Sequence, residues 1–226
     1  MTRVAIVAGE ASGDLLGAAL IKALKERWPE IEFYGIAGPK MEAEGADAIY
    51  PTEKLAVRGY VEVIRHLREI LAIRKGIYRA IVRDRPDLFI GIDAPDFNLA
   101  LEAKLKSVGI PTVHYVSPSL WAWRPERIHS IGKSVDRMLV TFPFEEEIYR
   151  KANIPVSYVG HPLADAMPLE PDRREARAQL RLPSASVPIA LLPGSRVSEL
   201  EKQARETPEV KPLVDFLAAS TRGIIR

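Results

Sequence analysis

The sequence has no cysteine, which excludes disulfides, a thiol nucleophile and cysteine metal sites. It has no surplus of either charge. Its 32 Lys and Arg stand against 30 Asp and Glu, a net of +2, so composition gives no sign of a nucleic-acid partner beyond what a local basic patch could supply. No apolar run approaches the roughly 18 residues of a membrane span. The opening M-T-R-V-A-I-V-A-G-E holds too short an apolar run for a secretion signal, and the expectation is a cytosolic protein. Neither a Walker phosphate loop nor a true G-x-G-x-x-G is present. What is there, 47% hydrophobic and 27% charged over 226 residues, suits one large or two modest globular domains with a substantial core.

Apolar runs and helical patterns alternate from the start. Val4 to Ala8 reads as a strand, G-E-A-S-G-D-L-L-G as a glycine-rich turn, and Leu15 to Leu24 as a helix. Exposed N–H groups at such a helix start favour anions, but Glu10 and Asp14 would repel a phosphate and suit hydroxyl groups, or serve as plain helix caps. A second strand is predicted at Glu32 to Ala37, a short helix after the Gly38-Pro39 turn, and a brief strand at Ala48 to Tyr50. The alternation predicts an α/β fold, a Rossmann-like doubly wound parallel sheet.

Asp87 to Asn98 reads D-L-F-I-G-I-D-A-P-D-F-N. Leu88 to Ile92 suits a strand buried on both faces. It stops at Asp93 and Asp96 around Pro95, and Leu99, Leu101 and Leu105 begin a helical pattern. Ligands in open α/β sheets collect just outside the carboxyl ends of strands, so the carboxylates are candidates for chemistry. The structural alternative is that one of them caps the helix, with Pro95 set for its first turn.

Tyr60 to Asp84 is a long helical segment, or two helices meeting near Gly76. Tyr60, Val63, Ile64, Leu67, Ile70, Leu71, Ile77, Tyr78 and Ile81 recur at helical spacing, while Val61, Ile73 and Val82 widen the apolar surface beyond one core face. From Arg58 to Asp84 seven basic residues face three acids, a net of +4, so the remainder nets −2. Apolar breadth with concentrated basic charge describes a helix resting on an anionic membrane, or an amphipathic helix with a solvated basic face.

Thr112 to Val116 is a further strand, followed by S-P-S-L-W-A-W-R-P-E-R. Ser117, Ser119, Trp121, Trp123, Arg124 and Arg127 crowd this loop, and Trp and Arg suit sugar rings and phosphates. Strands at Arg137 to Phe142 and Val156 to Val159 follow, with a helix at F-P-F-E-E-E-I-Y between them. His161, before Pro162, is read as a turn residue before it is read as a base. Pro162, Pro168, Pro171 and the charged run Asp172 to Arg177 look like a linker. Ile189 to Leu192 then leads into P-G-S-R, where Gly194, Ser195 and Arg196 at an expected helix start would suit a pyrophosphate cradle. Glu209 to Ile225 could make one amphipathic helix. The expected division is an N-terminal domain over 1–168, a linker over 169–187, and the beginning of a second domain with a tail over 188–226.

Five stretches, V-A-G-E-A-S-G-D-L-L-G, F-I-G-I-D-A-P-D-F-N, H-Y-V-S-P-S-L-W-A-W-R, G-H-P-L-A-D-A-M-P-L and L-L-P-G-S-R, together resemble the N-terminal part of the lipid-A-disaccharide synthases. The resemblance covers Val4 to about Glu201. It implies a GT-B glycosyltransferase of lipid A biosynthesis, of which this chain carries the N-terminal half and only the start of the donor domain, with no metal or other cofactor. The implied reaction joins UDP-2,3-diacylglucosamine to 2,3-diacylglucosamine 1-phosphate, with inversion, to give the β-1,6-linked disaccharide 1-phosphate and UDP. Asp93 matches the proposed general base. Glu10, Asp14 and Asn98 match polar cleft positions, and Ser117, Trp123 and Arg124 stand with them as substrate-binding candidates. Arg196 matches the residue expected to steady the UDP phosphates. The stripe of Tyr60, Val61, Val63, Ile64, Leu67, Ile70 and Leu71 matches the surface that takes acylated substrates from the membrane. The enzyme would then be peripheral on the cytoplasmic face of the inner membrane, and this chain inactive alone unless a separate chain supplies the donor domain. The competing readings are a non-catalytic acceptor-lipid or membrane-binding module and a Rossmann-type nucleotide binder unrelated to sugars.

Overall fold

The computed structural model describes residues 2–55, 60–167, 169–170 and 172–182, with the side chains of 60–65 set aside. Two compact units divide the chain, Met1–Met167 and Pro168–Arg226.

The first unit is built on seven strands: β1 Arg3–Ala8, β2 Glu32–Ala37, β3 Ala46–Pro51, β4 Leu88–Ile92, β5 Thr112–Tyr115, β6 Arg137–Val140 and β7 Val156–Tyr158. Their order is β3-β2-β1-β4-β5-β6-β7, and every pairing is parallel. This is the α/β doubly wound sheet expected from the alternation of patterns. The strand order reverses between β1 and β4, which creates a switch point at their carboxyl ends.

The helices are α1 Ala11–Arg27, α2 Pro39–Ala43, α3 Tyr60–Asp84, α4 Pro95–Ser107, α5 Ile128–Ser134, α6 Pro143–Lys151 and α7 Pro162–Ala166. Successive side chains of β1 point to opposite faces. Val4, Ile6 and Ala8 pack with Leu16 and Ile21 of α1, and Ala5 and Val7 pack with Ile73, Ile77 and Ile81 of α3 and Leu101 and Leu105 of α4. The five β1 side chains from Val4 to Ala8 are buried, each contributing up to about 1.5–3 kcal/mol when large and apolar. A third cluster joins Leu99, Leu120 and Ile131 to Met138, Val140 and Tyr149.

Helix α3 runs unbroken through Gly76. Its core face is Ile73, Ile77 and Ile81, with Ile70 packed partly against the same cluster. Ile73 is therefore a core residue, where the spacing put it outside the stripe, and Ile70 is in part a packing residue, where it was expected to face the membrane. Leu67 and Leu71 remain exposed. The side chains of Tyr60, Val61, Val63 and Ile64 lie outside the described residues.

The expected linker contains regular structure. Pro162–Ala166 forms α7, and in the second unit Arg173–Gln179 forms α8. Asp172 caps α8 by accepting from the backbone N–H groups of Arg174 and Glu175, the usual role of Asp before a helix. The P-G-S-R turn, Arg196 and the predicted Glu209 to Ile225 helix lie outside the described residues.

Candidate functional site

The site begins with two consecutive non-glycine residues in left-handed backbone. Asp93 and Ala94, at the exit of β4, have φ of 51° and 44°. Such conformations cost about 1–2 kcal/mol per residue and persist only where surrounding contacts impose them. Here those contacts are visible. The Asp93 N–H donates to the Tyr115 carbonyl at 2.9 Å. Asn98, fully buried, donates its amide to the carbonyls of Asp93 at 2.9 Å, Ile92 at 3.2 Å and Val7 at 3.4 Å. Asn98 thus ties the ends of β1 and β4 to the first turn of α4. It acts beneath the surface and holds the turn.

No side chain caps α4: its N-cap is Ala94, and Pro95 begins the helix. The capping alternative for Asp93 and Asp96 fails because the N-cap position falls on Ala94 and neither carboxylate bonds the N–H groups of the first turn. Asp96 instead pairs with Arg127 at 2.8 Å, with its side chain 90% exposed, a contact worth at most about 1 kcal/mol. The half-buried Asp93 carboxylate makes no hydrogen bond or ion pair with any described residue.

Glu10 is the neighbouring carboxylate, at the exit of β1. It is the N-cap residue of α1 yet makes no side-chain cap, and it is exposed. The cap alternative for Glu10 fails as well. Gly9 before it is required by contact, since a Cβ there would stand 2.3 Å from the Ala94 Cβ. Gly9→Ala is therefore expected to lose about 1–3 kcal/mol. The double variant Gly9→Ala/Ala94→Gly should recover most of it, because glycine removes the opposing Cβ and accepts positive φ. Urea unfolding of the two variants checks this; equal destabilisation of both would show that the Cβ clash is not the cause.

Asp14 is used differently from expectation. It is 4% exposed, and its carboxylate accepts from the backbone N–H groups of Gly38, Lys40 and Met41 at 3.0–3.1 Å. Those groups open α2, so Asp14 caps a helix other than its own, and both oxygens are engaged inside the fold. In this structure it acts as a cap. Ser117, partly buried, is also hydrogen-bonded within the fold. Its hydroxyl donates to the Pro118 carbonyl at 2.9 Å and shares a 2.8 Å hydrogen bond with Tyr149. Burial pushes the Tyr149 phenol up to about 12, so it stays neutral.

Trp123 and Arg124 keep their exposed places on the loop after β5. The Arg124 guanidinium lies 4.9 Å from the Trp123 ring centre, and Trp121 meets Phe144 edge-on at 5.7 Å. Phe142 stacks on Phe144 at 5.7 Å. All four rings are at least half exposed. The loops after β1, β4, β5 and β6 thus present carboxylates on one side and an aromatic ledge on the other along the carboxyl edge of the sheet. His161 caps α7, its Nδ1 accepting from the Leu163 N–H at 3.2 Å, which is the turn role read from the sequence. No group of three or more His, Asp or Glu among the described residues is arranged to hold a metal ion, and no described helix is long and apolar enough to cross a membrane.

The model of the lipid-A-disaccharide synthetase family matches residues 4–210. The chain belongs to this family. It is 56% identical to lipid-A-disaccharide synthase of Methylobacillus flagellatus over 99% of its own length and 62% of that protein's. It is 62% identical to the synthase of Thiobacillus denitrificans over 88% of its own length and 54% of that relative's. The chain therefore spans a little over half of these relatives. Among solved structures, UDP-GlcNAc 2-epimerase from Neisseria meningitidis, bound to UDP-GlcNAc, matches with a TM-score of 0.50 at 11% identity, over 94% of this chain and 52% of the other. That likeness concerns the fold, the Rossmann-like half of a GT-B architecture.

Sequence reasoning missed a buried polar pair beneath the site. His114 of β5 and Glu102 of α4 are fully buried and hydrogen-bonded at 2.8 Å. Burial pushes the Glu102 carboxyl up, and the adjoining His114 opposes that rise. Gly91 makes room for the pair, since a Cβ there would lie 2.2 Å from Glu102 Oε1 and 3.0 Å from the Asn98 Cβ. The available signal was a polar residue amid the apolar T-V-H-Y strand. Phe142 and Phe144 were also missed as surface residues; their signal was an F-P-F directly at the end of a strand.

Proposed function

We propose that this chain is the acceptor-side part of an inverting glycosyltransferase of lipid A biosynthesis. It joins UDP-2,3-diacylglucosamine to 2,3-diacylglucosamine 1-phosphate, giving the β-1,6-linked lipid A disaccharide 1-phosphate and UDP. The observation that carries this reading is Asp93, an unpartnered carboxylate held on a strained turn at the β1/β4 switch point. A carboxylate within hydrogen-bond reach of a sugar hydroxyl can accept its proton as the oxygen attacks. In the proposed step Asp93 takes the proton of the acceptor 6-hydroxyl and that oxygen bonds to the donor's anomeric carbon. The bond from that carbon to the UDP oxygen breaks on the opposite face, its electron pair leaving with UDP. Glu10 would accept hydrogen bonds from acceptor hydroxyls. Trp123 and Arg124 would offer a ring face and a cation to sugar and phosphate, and Arg196 would meet the charge developing on the UDP phosphates.

The proposed domain division, 1–168, 169–187 and 188–226, assigns acceptor and membrane contacts to the first part. Leu67 and Leu71, exposed on a basic helix, support a peripheral place on the cytoplasmic face of the inner membrane. Donor recognition would be supplied by polypeptide beyond the described residues, on this or a separate chain. The second reading is a non-catalytic acceptor-lipid or membrane-binding module, supported by the exposed Leu67 and Leu71 on a basic helix.

One experiment separates the two. The purified 226-residue chain is incubated with both substrates, with and without the remaining portion of the Methylobacillus synthase, and UDP release is followed. Release that requires the added portion is the expected result and sinks the module reading. Saturable acceptor binding with no release under either condition would overturn the enzymatic one.

A further inference from the structure

The main chain of Asp93 is held at its two ends by two different elements. Its N–H donates to the Tyr115 carbonyl of β5 at 2.9 Å, and its carbonyl accepts from the Asn98 amide of α4 at 2.9 Å. The side chain leaves from the Cα between those contacts. Where the carboxylate points is therefore set by how β5 and α4 stand relative to each other.

Among the described residues one hydrogen bond joins those two elements directly, His114 to Glu102 at 2.8 Å. Each end of it lies beside a contact that holds Asp93. His114 immediately precedes Tyr115, and Glu102 follows Asn98 by four residues, one turn along the same face of α4. Glu102 and Asn98 both crowd the bare backbone of Gly91, which is the register partner of His114. All three side chains are fully buried.

Stability does not account for this pair. Asn98 Oδ1, Glu102 Oε2 and His114 Nε2 are buried with no hydrogen-bond partner among the described residues, and unsatisfied polar atoms weaken a core. An apolar pair of similar volume would pack α4 on β5 without that cost. What it would lack is direction. A hydrogen bond fixes a distance and an angle, whereas apolar contact is non-directional.

We propose that His114 and Glu102 are positioning residues for Asp93, a cross-tie that holds β5 and α4 where the carboxylate meets the acceptor hydroxyl. This rests on the reading of Asp93 as the base and extends it to two residues that never touch substrate. Reacting groups must be held within about 0.5 Å of the productive geometry, so a small slip of α4 along β5 lowers kcat. The acceptor contacts proposed for Glu10 and Trp123 are untouched by that slip, and KM is spared.

Two apolar replacements, Glu102→Met/His114→Leu and Glu102→Leu/His114→Phe, test this, so that a misfit of one does not decide the matter. In the 226-residue chain, hydrogen exchange of the Asp93 amide, followed by NMR, is expected to quicken about tenfold or more, with that of Ile6 in β1 changing less than about threefold. In the chain assembled with the remaining portion of the Methylobacillus synthase, kcat should fall about 10–100-fold with acceptor KM nearly unchanged. In an Asp93→Asn background the same replacements should lower kcat less than about threefold further, because groups acting as a unit are not additive. Full kcat in a folded apolar variant is what a purely structural pair would give, and it overturns the proposal. Equal losses in the two backgrounds, or an unchanged Asp93 amide, overturn it as well. Near-normal kcat for Asp93→Asn alone is the separate mark that the base reading has failed, and the Asp93 amide then still decides whether the pair holds the turn.

Discussion

Asn in place of Asp93 is expected to lower kcat by about 10²–10⁴-fold in the assembled enzyme, with little change in the unfolding midpoint. The two halves of that expectation come from different atoms. The contacts that hold the turn use the Asp93 main chain, its N–H toward Tyr115 and its carbonyl toward Asn98. The carboxylate makes no hydrogen bond or ion pair with any described residue, so exchanging it for an amide of the same size removes no polar contact from the fold. Asn also tolerates positive φ better than most residues, so the φ of 51° is kept. An amide cannot take the hydroxyl proton, and the loss should fall on kcat with the acceptor KM nearly unchanged. Steady-state kinetics beside urea unfolding checks both halves. A near-normal kcat in a folded Asp93→Asn variant removes Asp93 from the role of base.

His114→Leu should destabilise the chain by about 3–5 kcal/mol, because it strands the Glu102 carboxyl in the core. Glu102 and His114 are both fully buried, so no solvent replaces the lost 2.8 Å hydrogen bond. Glu102→Met added to His114→Leu should restore most of the stability, since an apolar pair of similar volume leaves no group unsatisfied. The sign of the pH dependence follows from burial, which raises the Glu102 pKa above its unfolded value of 4.5. In the single variant the raising cause stays and the opposing histidine is gone. Stability is then fully present below pH 4.5 and falls as pH rises toward the folded-state value, because the unfolded chain releases the proton first. Urea midpoints for the single and double variants across that range check the point. Losses that add independently would show that the two side chains are not coupled.

Much of this fold was legible because its strands are short apolar runs closed by turn residues. Leu88 to Ile92 and Glu32 to Ala37 were bounded as the structure has them, since burial on both faces makes each a nearly continuous apolar run. The roles of polar residues near those ends were harder to read. Asp14, Asn98 and Ser117 were expected on a binding surface, yet each serves a backbone group or a buried phenol that comes from far along the chain. Met41 and Tyr149 are such partners, and no local spacing announces them. Helix α3 shows the complementary limit. Periodicity identified an amphipathic helix, but which of its apolar rows faces the core depends on where β1, β2 and α4 meet it.

The pairing of β1 with β4 has a consequence for how the site comes into being. Val7 lies in register with Gly91, so the two strand ends that flank Asp93 are brought together only after an excursion through β2, β3 and α3. Non-local pairing of this kind bears a loop-closure cost before any contact rewards it, and such topologies fold more slowly than those dominated by local contacts. During synthesis the opening turn at Gly9 and Glu10 therefore emerges long before its partner. Until Ile92 and Asn98 follow, β1 lacks its central neighbour, and the interval leaves an apolar strand edge uncovered. The carboxylates of the site become neighbours at the step that closes the middle of the sheet.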